Sequence, residues 1–540
     1  MNKTLDYLRM FTQFPLVLRR FSKRRLTLGV AKDIVRRQIE SREQRFLRMI
    51  ERGVYAYPPS PYRALLEIAG CGFGDLQEMV QRKGLETTLR ALRESGVFVT
   101  FEEFKGRKPI VRHGREIPVQ MRDFDNPLAR RDFAYQTGGS TGIASSVAAD
   151  LDHMAARAVY QLLTLDAHGM LDAPSATWHG ILPHHGVGTM LRRSCIGPLP
   201  ERWFSPIGWR DSDHWLSYSV ATCYIILWMR LLGLRVPLPE IVKVDQALVV
   251  ARWLADTVRA YQRCVLHTQV SRAVRVCIAA QEAGLDLTGA TIKGGGEPPT
   301  PAKVQHMERA GVHYIPSYGM TEAGSIASGC ARPIDGSDVH LFTDAYAMFS
   351  YPHRVEGVGV TVPAFNLTTL LPTAPKLMLN AQMDDYGIIE ERNCGCELQT
   401  YGYTTHLRQI RSYSKLTGEG VSLIATEMVR ILEEVLPDRF GGTPLDYQML
   451  EQEDEQGLTR LYLVISPRVQ IADESLVIKV VLNALRRSSP MADTASAVWQ
   501  HAQTLQVRRL EPTWTMRGKL MPLHIRRRPF SEVREEESQP

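Results

Sequence analysis

The sequence has few cysteines and no long apolar run, and each shortage excludes a class of protein. Eight cysteines are scattered over 540 residues, which does not fit a disulfide framework and suits a reducing compartment. An apolar run near Ser219–Met229 is too short to span a bilayer and ends at Arg230. The first residues lack the charged-then-apolar order of a secretory signal. We therefore expect a cytoplasmic protein without a transmembrane segment.

The sequence also lacks low-complexity tracts, internal repeats and any pattern typical of nucleic-acid-binding modules. Its net charge of +7 is modest for this length, although basic residues are concentrated early, as in Arg19-Arg20 and Lys23-Arg24-Arg25. A basic helix there can contact an anionic lipid surface or nucleic acid. A solvated helical face, or an arm that docks on the rest of the chain, explains the same charges more simply. We therefore expect no nucleic-acid partner.

A chain of 540 residues exceeds one hydrophobic core, so two or three domains are expected. Short apolar runs alternate with helical patterns up to about residue 290, with strands at Thr177–Leu182 and Ala290–Lys293 and a helix at Ala247–Arg259. This alternation predicts an α/β domain. After Ser412 the pattern favours a small α+β domain. The predicted divisions are a helical region over 1–130, a core over 131–411 and a small domain over 412–540.

The segment Thr137-Gly-Gly-Ser-Thr-Gly142 is rich in glycine and hydroxyl groups. Such a loop can close around a polyphosphate, because glycine lets the backbone N–H groups approach an anion without a Cβ in the way. On its own the pattern also fits an ordinary loop. It is not the GxxxxGK pattern of P-loop proteins, and no lysine ends it, because Ile143-Ala-Ser145 follows.

Three further motifs follow in order, namely Gly294-Gly-Gly-Glu-Pro298, Ser317-Tyr-Gly-Met-Thr-Glu322 and Met516-Arg-Gly-Lys-Leu520. Together with the glycine-rich loop they resemble the adenylate-forming ligase superfamily, which includes acyl-CoA synthetases, peptide-synthetase adenylation domains and luciferases. The resemblance covers most of the chain. It implies a large α/β adenylation domain of several subdomains, a small mobile α+β C-terminal domain, and the use of ATP to activate a carboxylic acid.

The resemblance also assigns nucleotide-binding roles. The glycine-rich loop would hold the β- and γ-phosphates, the segment after residue 294 would form a wall of the adenine pocket, and Tyr318 would pack on adenine. Thr321 would contact the α-phosphate and Glu322 would ligate Mg²⁺, which prefers oxygen ligands. The implied nucleotide-binding residues are Thr137, Gly138, Gly139, Ser140, Thr141, Gly142, Gly295, Gly296, Glu297, Pro298, Tyr318, Gly319, Asp385 and Arg411.

Three of the implied residues have rivals. Asp385 resembles the aspartate that accepts both ribose hydroxyls, and the neighbouring Asp384 is the alternative. Arg411 lies where the superfamily has an arginine before its interdomain hinge, but the usual aspartate is missing here, and Arg411 can instead cap a strand end. Lys519 resembles the catalytic lysine that the small domain brings to the carboxylate, the ribose and the α-phosphate. Arg517 is its rival, and a merely basic loop is the other alternative.

The resemblance is closest to the phenylacetate-CoA-ligase-like branch and extends to the acyl-protein synthetases of bacterial bioluminescence. The segment Gly180-Ile-Leu-Pro-His-His-Gly-Val-Gly188 is similar to the glycine-rich segment that lines the acid pocket in this branch. Trp178, His184 and His185 are therefore candidate substrate contacts. A histidine pair in hydrogen bonds within a loop is the equal alternative for the last two.

In the same branch, a Cys…His pair and a later Cys-x-Cys can hold a structural Zn²⁺. Three thiolates and one imidazole form a closed tetrahedral site, which is structural rather than catalytic. The alternative is a set of reduced, unligated thiols. The matching residues are Cys330, His340, Cys394 and Cys396.

Two functions from different classes follow. In the first, an enzyme converts ATP and a carboxylic acid to an acyl-adenylate and then passes the acyl group to a thiol of coenzyme A or of a carrier-protein phosphopantetheine, or to another nucleophile. In the second, a catalytically silent nucleotide-binding scaffold keeps the fold without turnover. The sequence does not identify the acid. It leaves both a monomer and a homodimer as alternatives.

Overall fold

The computed structural model describes residues 3–130, 133–136, 146–182, 184–209, 215–296, 298–354, 361–412, 417–418, 421–422, 425–453, 459–486, 505–514, 520 and 523–526. Some of the predicted site lies outside these residues, namely the phosphate loop over 137–142, Glu297, and Lys519 with its rival Arg517. The strands that flank the phosphate loop pair antiparallel, with Gln136 opposite Ser146. A single antiparallel bridge between Trp514 and Leu520 likewise flanks the segment that carries Lys519.

Helices dominate the first hundred residues and then alternate with strands. Short π-helical or 3₁₀ turns occur at Glu51–Tyr55, Met121–Phe124, Val244–Gln246 and Ile431–Val435. In the described residues the α-helices are α1 Lys3–Ser22, α2 Leu28–Glu40, α3 Arg42–Ile50, α4 Pro61–Ile68, α5 Phe73–Lys83, α6 Leu85–Glu94, α7 Phe101–Phe104, α8 Leu151–Ala167, α9 Gly186–Ile196, α10 Trp215–Leu231, α11 Ala247–Tyr261, α12 Val270–Glu282, α13 Pro301–Arg309, α14 Glu397–Thr400, α15 Ala425–Arg430, α16 Leu436–Phe440 and α17 Glu474–Arg486.

The strands of the described residues are β1 Ile110–Arg112, β2 Arg115–Ile117, β3 Phe133–Gln136, β4 Ser146–Ala149, β5 Ser175–Trp178, β6 Arg202–Ser205, β7 Pro239–Ile241, β8 Cys264–Gln269, β9 Ala290–Gly295, β10 His313–Met320, β11 Gly324–Gly329, β12 Val339–Leu341, β13 Tyr346–Arg354, β14 Thr361–Thr369, β15 Ala381–Glu391, β16 Thr405–Ser412, β17 Thr417–Gly418, β18 Val421–Ser422, β19 Tyr447–Glu453, β20 Thr459–Ile465, β21 Leu505–Arg509 and β22 Leu523–Arg526.

Twelve of these strands form one sheet in the order β13-β14-β15-β16-β12-β11-β10-β9-β8-β5-β6-β7. The six strands from β10 to β7 are parallel to one another. They are joined by helices, and the central strand β8 is buried at every position, as expected for a parallel strand covered on both faces. The strand order reverses between β5 and β8, because β6 follows on one side of β5 and β8 lies on the other. Ligands bind preferentially at the carboxyl ends of strands at such a reversal.

The chain forms two compact units. The larger consists of Met1–Pro299, His306–Tyr351 and Ala364–Ile410, and the smaller consists of Thr300–Gln305, Pro352–Pro363 and Arg411–Pro540. The smaller unit contains a four-stranded sheet in the order β21-β20-β19-β22. Its separate core includes Leu463 and Val481, both fully buried. None of the described helices combines the length and the apolar character that crossing a bilayer requires.

Two of the early basic residues join the N-terminal helical segment to other parts of the larger unit. Arg24 forms an ion pair with Asp152, and Arg25 Nη1 donates to the carbonyl oxygen of Ser194 at 2.8 Å. The interpretation of this segment as a docking arm is confirmed for these two arginines. Farther along the chain, Arg45 Nη2 donates to the backbone carbonyl oxygen of the buried Asp344 at 2.6 Å.

The predicted α/β class is confirmed, as are the helix at Ala247–Arg259 and the strand at Ala290–Lys293. The predicted strand at Thr177–Leu182 is too long, because β5 ends at Trp178. Beyond that residue the chain turns, and Gly186 N donates to the carbonyl of Gly180 at 3.1 Å. The short apolar run therefore belongs partly to a strand and partly to a buried turn.

Candidate functional site

Two neighbouring parallel strands bring the glycine motif and the Tyr-Gly-Met-Thr-Glu motif together. Gly295 at the end of β9 lies opposite Ser317 in β10, and Ser317 Oγ donates to the carbonyl oxygen of Gly294 at 2.9 Å. A Cβ on Gly295 would lie 2.5 Å from the Ser317 carbonyl oxygen. The next residue, Gly296, has a φ of +82°, which favours glycine. The glycines are therefore required by the close approach of the two strands and by the turn that follows.

Tyr318 and Asp385 are in contact through a hydrogen bond between their side chains. The Tyr318 hydroxyl donates to Asp385 Oδ2 at 2.8 Å, although β10 and β15 are several strands apart in the sheet order. Burial, together with the negative charge of Asp385, raises the pKa of Tyr318 well above its usual value. Asp385 is half-buried, whereas Asp384 is 5% exposed. The structure therefore places Tyr318, expected to pack on adenine, in contact with Asp385, expected to bind the ribose.

Glu322 lies in the turn between β10 and β11 and is 6% exposed. Its Oε1 is 2.6 Å from Lys105 Nζ, which follows α7. Burial lowers the pKa of Lys376, and the charges of its partner Asp125 and, more weakly, of Glu322 oppose that fall. The sequence indicated neither lysine, since neither belongs to a motif. Thr321, the predicted α-phosphate contact, is half-buried beside Glu322.

A buried carboxylate is a suitable ligand for Mg²⁺, because this cation prefers oxygen donors and also takes oxygens from phosphates. Glu322 offers a single such side chain, with Lys105 balancing its charge. Mg²⁺ bound at Glu322 would share the carboxylate with this ammonium or displace it. The donor set therefore fits a cation that completes its coordination with phosphate and water oxygens.

Arg411 lies in β16 and is half-buried. Burial raises the pKa of Glu434, and the charge of Arg411 partly opposes that rise. Both residues belong to the smaller unit. The role of Arg411 beside a hinge remains a prediction.

The three predicted substrate contacts have different surroundings. Trp178 is fully buried, and its indole N–H donates to the carbonyl of Val242 at 2.9 Å. His184 is 8% exposed, and its backbone N–H donates to Ile181 O at 2.9 Å. His185 is half-buried just before α9, where its carbonyl accepts from the Thr189 N–H at 2.9 Å. Trp178 is a buried residue of the sheet. Substrate contact by any of the three residues remains a prediction.

Three basic side chains not indicated by the sequence lie near the carboxyl ends of β5, β8 and β9. His267 in β8 is opposite Lys293 in β9, and His179 directly follows β5. Burial, together with the smaller effect of the Arg192 charge, lowers the pKa of Lys293 to about 7. Burial and nearby arginines likewise hold the pKa values of His179 and His267 well below the usual histidine value. We call His179, His267 and Lys293 the basic edge.

The four predicted zinc ligands converge. One ligand atom from each of Cys330, His340, Cys394 and Cys396 lies within 4.8 Å of every other. A tetrahedral zinc with Zn–S bonds of about 2.3 Å would set its ligand atoms about 3.8 Å apart. His340 Nδ1 is 2.7 Å from the carbonyl oxygen of Tyr403, which leaves Nε2 for a metal, as backbone partners of ligating histidines commonly do. The donor set therefore fits Zn²⁺.

A second polar group packs against this cluster. His406 Nδ1 is 2.7 Å from Asp338 Oδ1, and both residues are fully buried. The rings of His340 and His406 are 4.0 Å apart between centroids. Arg392 forms an ion pair with the same Asp338. This network surrounds the four candidate ligands with fixed polar groups, which is typical of the outer shell of a structural metal site.

No family model matches the chain, and no curated protein matches it in sequence. Among solved structures it is similar to a 2-hydroxyisobutyryl-CoA ligase in the postadenylation state in complex with R3-HIB-AMP, with a TM-score of 0.52 and 14% identity, over 92% of this chain and 91% of that chain. The same ligase in complex with 2-HIB-AMP gives a TM-score of 0.52 and 13% identity over the same shares. The likeness confirms the predicted fold, which this chain shares with that ligase.

Proposed function

We propose that this protein is an AMP-forming acid ligase. In the first half-reaction a carboxylate oxygen of the acid attacks the α-phosphorus of ATP, and pyrophosphate leaves. In the second, a thiol sulfur attacks the acyl carbon of the adenylate, AMP leaves, and the thiol proton passes to solvent. Neither step needs a covalent group on the protein, so positioning and charge stabilisation carry the catalysis.

The observation that carries this proposal is the meeting of Tyr318 with Asp385, with Glu322 four residues beyond the tyrosine. A ring for adenine, a carboxylate for the ribose and a carboxylate for a cation are the groups that an ATP of fixed orientation requires. Asp385 accepts a hydrogen bond from the Tyr318 hydroxyl at 2.8 Å, and a carboxylate can accept several hydrogen bonds, as ribose hydroxyls require. Mg²⁺ bound at Glu322 would neutralise charge on the phosphates.

The remaining roles complete the proposal. Residues 137–142 would donate backbone N–H groups to the β- and γ-phosphates, and Thr321 would donate to the α-phosphate. Lys519 would supply a point charge to the oxygens around the reacting centre. Lys105 acts as a positioning residue, because its ammonium fixes the orientation of the Glu322 carboxylate at 2.6 Å.

Coenzyme A is the proposed acceptor, because the similar solved structure is a CoA ligase and its fold extends over 92% of this chain. A carrier-protein phosphopantetheine presents the same terminal thiol. The two are distinguished by supplying each thiol to the adenylate and measuring release of AMP. If the acyl group passes only to the carrier protein, its phosphopantetheine thiol replaces coenzyme A as the proposed acceptor.

We also propose that Cys330, His340, Cys394 and Cys396 hold one structural Zn²⁺. The proposal is supported by the convergence of the four ligand atoms within 4.8 Å and by the carbonyl that holds His340 Nδ1. Metal analysis of the purified chain should give about one zinc per molecule. Cys394→Ser should lower that ratio, whereas Cys223→Ser, a change at an exposed cysteine, should leave it unchanged.

The test of the main proposal is the exchange of labelled pyrophosphate into ATP across a panel of acids. Wild type should exchange with at least one acid, and Lys519→Ala should abolish exchange while ATP binding persists. Lys83→Ala, at an exposed lysine in α5, is the matched control and should behave as wild type. Absence of exchange with every acid, together with intact ATP binding, would instead support the silent scaffold.

A further inference from the structure

We infer that the acid activated by this protein carries a second anionic group, which the basic edge recognises through Lys293 and His267. A dicarboxylic acid is the simplest member of this substrate class. The inference rests on the proposed function, since it concerns the acid of that same reaction.

The position of the basic edge is the first reason. Thr177, His267 and Lys293 are in register on the neighbouring parallel strands β5, β8 and β9, so their side chains share one face of the sheet. The strand order reverses between β5 and β8, and the carboxyl ends of strands at a reversal are the usual place for a ligand. Lys293 also directly precedes Gly294, the first residue of the glycine motif. Lys293 therefore lies on β9, the strand that leads into the glycine motif of the proposed nucleotide site.

The charge of this edge is the second reason. The charged groups that shift the pKa values of Lys293 and His267 are all basic within the described residues, and Arg192 acts on both. Lys293 Nζ donates to Ser328 Oγ at 2.5 Å, which uses one of the three N–H donors of an ammonium. Within the described part of the chain, a carboxylate partner for Lys293 is absent.

The imidazole of His267 adds an independent observation. His267 is 6% exposed, and its Nε2 is buried without a hydrogen-bond partner among the described residues. A buried polar atom without a partner is costly, and such atoms are rare unless a ligand or water completes them. An anionic oxygen would accept from Lys293 and from protonated His267 together. The same burial that disfavours their charges in isolation then strengthens both hydrogen bonds.

The reacting carboxylate alone does not explain this arrangement. In the proposed reaction that carboxylate loses its negative charge when it becomes a mixed anhydride, and Lys519 is already proposed to serve the oxygens around the reacting centre. A further lysine that bound only the charge of the free carboxylate would lose its partner during the reaction. A second anion keeps its charge throughout and can be held by the basic edge in every step. Uniform binding of such a group lowers KM, and it leaves the activated carboxyl free to react.

The experiment measures pyrophosphate exchange with acids matched in length that differ in one terminal group, namely succinate against butyrate, glutarate against valerate, and phthalate against benzoate. 3-Phosphonopropionate adds a phosphonate in place of the second carboxylate. We expect a dianionic acid to exceed its matched monoacid in kcat/KM by about 10- to 100-fold, the range given by a hydrogen bond to a charged group.

Three variants separate the possible roles of the lysine. Lys293→Met should remove most of the preference for the dianionic acid and leave the KM for ATP within about twofold, whereas Lys293→Arg should keep the preference. Lys83→Met, at an exposed position, should change neither. An equal loss with monoacids and diacids, or a rise in the KM for ATP alone, would overturn the inference, because the lysine would then serve the reacting carboxylate or the nucleotide.

A binding measurement distinguishes failure of this inference from failure of the proposed function. Calorimetric titration of wild type and Lys293→Met with succinate and with butyrate needs no turnover. Weaker succinate binding in the variant, with no exchange by any acid, would refute the ligase reaction and retain the anion site. Exchange with monoacids as fast as with diacids would retain the ligase and refute the second anion.

Discussion

Acidification should destabilise the larger unit through His153, a buried histidine that supports the turn after Glu322. His153 lies in α8 and is 1% exposed. Its Nε2 packs so closely on Gly324 that a Cβ there would be only 2.6 Å away. Burial lowers the pKa of His153 to about 3, and the charges of Arg157 and Arg192 act in the same direction.

The sign follows from comparing the folded with the unfolded chain. An unfolded histidine has a pKa near 6.5, so it binds a proton between about pH 6.5 and 3 while the folded residue does not. The stabilisation is therefore present above pH 6.5 and is lost as pH falls toward 3. Between pH 7.5 and 5.5, one such histidine lowers the free energy of unfolding by about 1.4 kcal/mol.

The assay is urea unfolding of wild type and of His153→Gln at several pH values between 7.5 and 5.5. The variant should lose about 1.4 kcal/mol less than wild type over this range, whatever its stability at pH 7.5. His113→Gln, at an exposed histidine, should leave the pH dependence of wild type unchanged. Equal pH dependence in wild type and His153→Gln would refute the reasoning, because His153 would then be protonated in both states alike.

Three further outcomes are expected. Asp385→Asn should raise the KM for ATP by about 10- to 100-fold, because a charged acceptor is lost, and a larger effect from Asp384→Asn in the same assay would move the ribose assignment to the neighbour. Asp344→Asn should lower the free energy of unfolding in urea by about 2 kcal/mol, since the amide nitrogen of Asn cannot accept the hydrogen bond that one of the two buried tyrosine hydroxyls donates to the carboxylate. Cys394→Ser, or prolonged chelation, should lower the melting temperature and release zinc, most readily at low pH because the ligands must be deprotonated. Retention of zinc by Cys394→Ser would contradict the proposed ligand set, for which Cys223→Ser is the control.

Local pattern correctly predicted one strand and one helix in the parallel half of the sheet. Ala290–Lys293 and Ala247–Arg259 are correct because a buried strand and an amphipathic helix each have a clear apolar period. The error at Thr177–Leu182 has a local cause as well. Ile181 and Leu182 are buried in a turn, and a short apolar run does not distinguish a buried turn from a strand.

The motifs indicated Tyr318, Asp385 and Glu322, but spacing could not show that Tyr318 and Asp385 touch. That contact joins strands that are four positions apart in the order of the twelve-stranded sheet, which the sequence does not reveal. Lys105 and Lys293 were missed for a different reason. Each is a lone lysine whose importance comes only from a neighbour distant in sequence, namely Glu322 for the first and Ser328 for the second.

Two strands connect residues of the proposed nucleotide site with the cysteine cluster. β11 leads from the turn that carries Glu322 to Cys330, and β15 leads from Asp385 toward Cys394. Cys330 follows Glu322 by eight positions, and Cys394 follows Asp385 by nine.

We expect the proposed zinc site to have a mechanical role in the frame formed by β10, β11 and β15. At one end the Tyr318 hydroxyl joins β10 to Asp385, and at the other the four ligand atoms converge. Removing the metal should let β11 and β15 shift relative to each other. Glu322 and Asp385 would then be displaced, and nucleotide binding would weaken. Chelation should therefore raise the KM for ATP before it unfolds the chain. A fall in kcat alone, with the KM for ATP unchanged, would show that the frame does not couple the two ends.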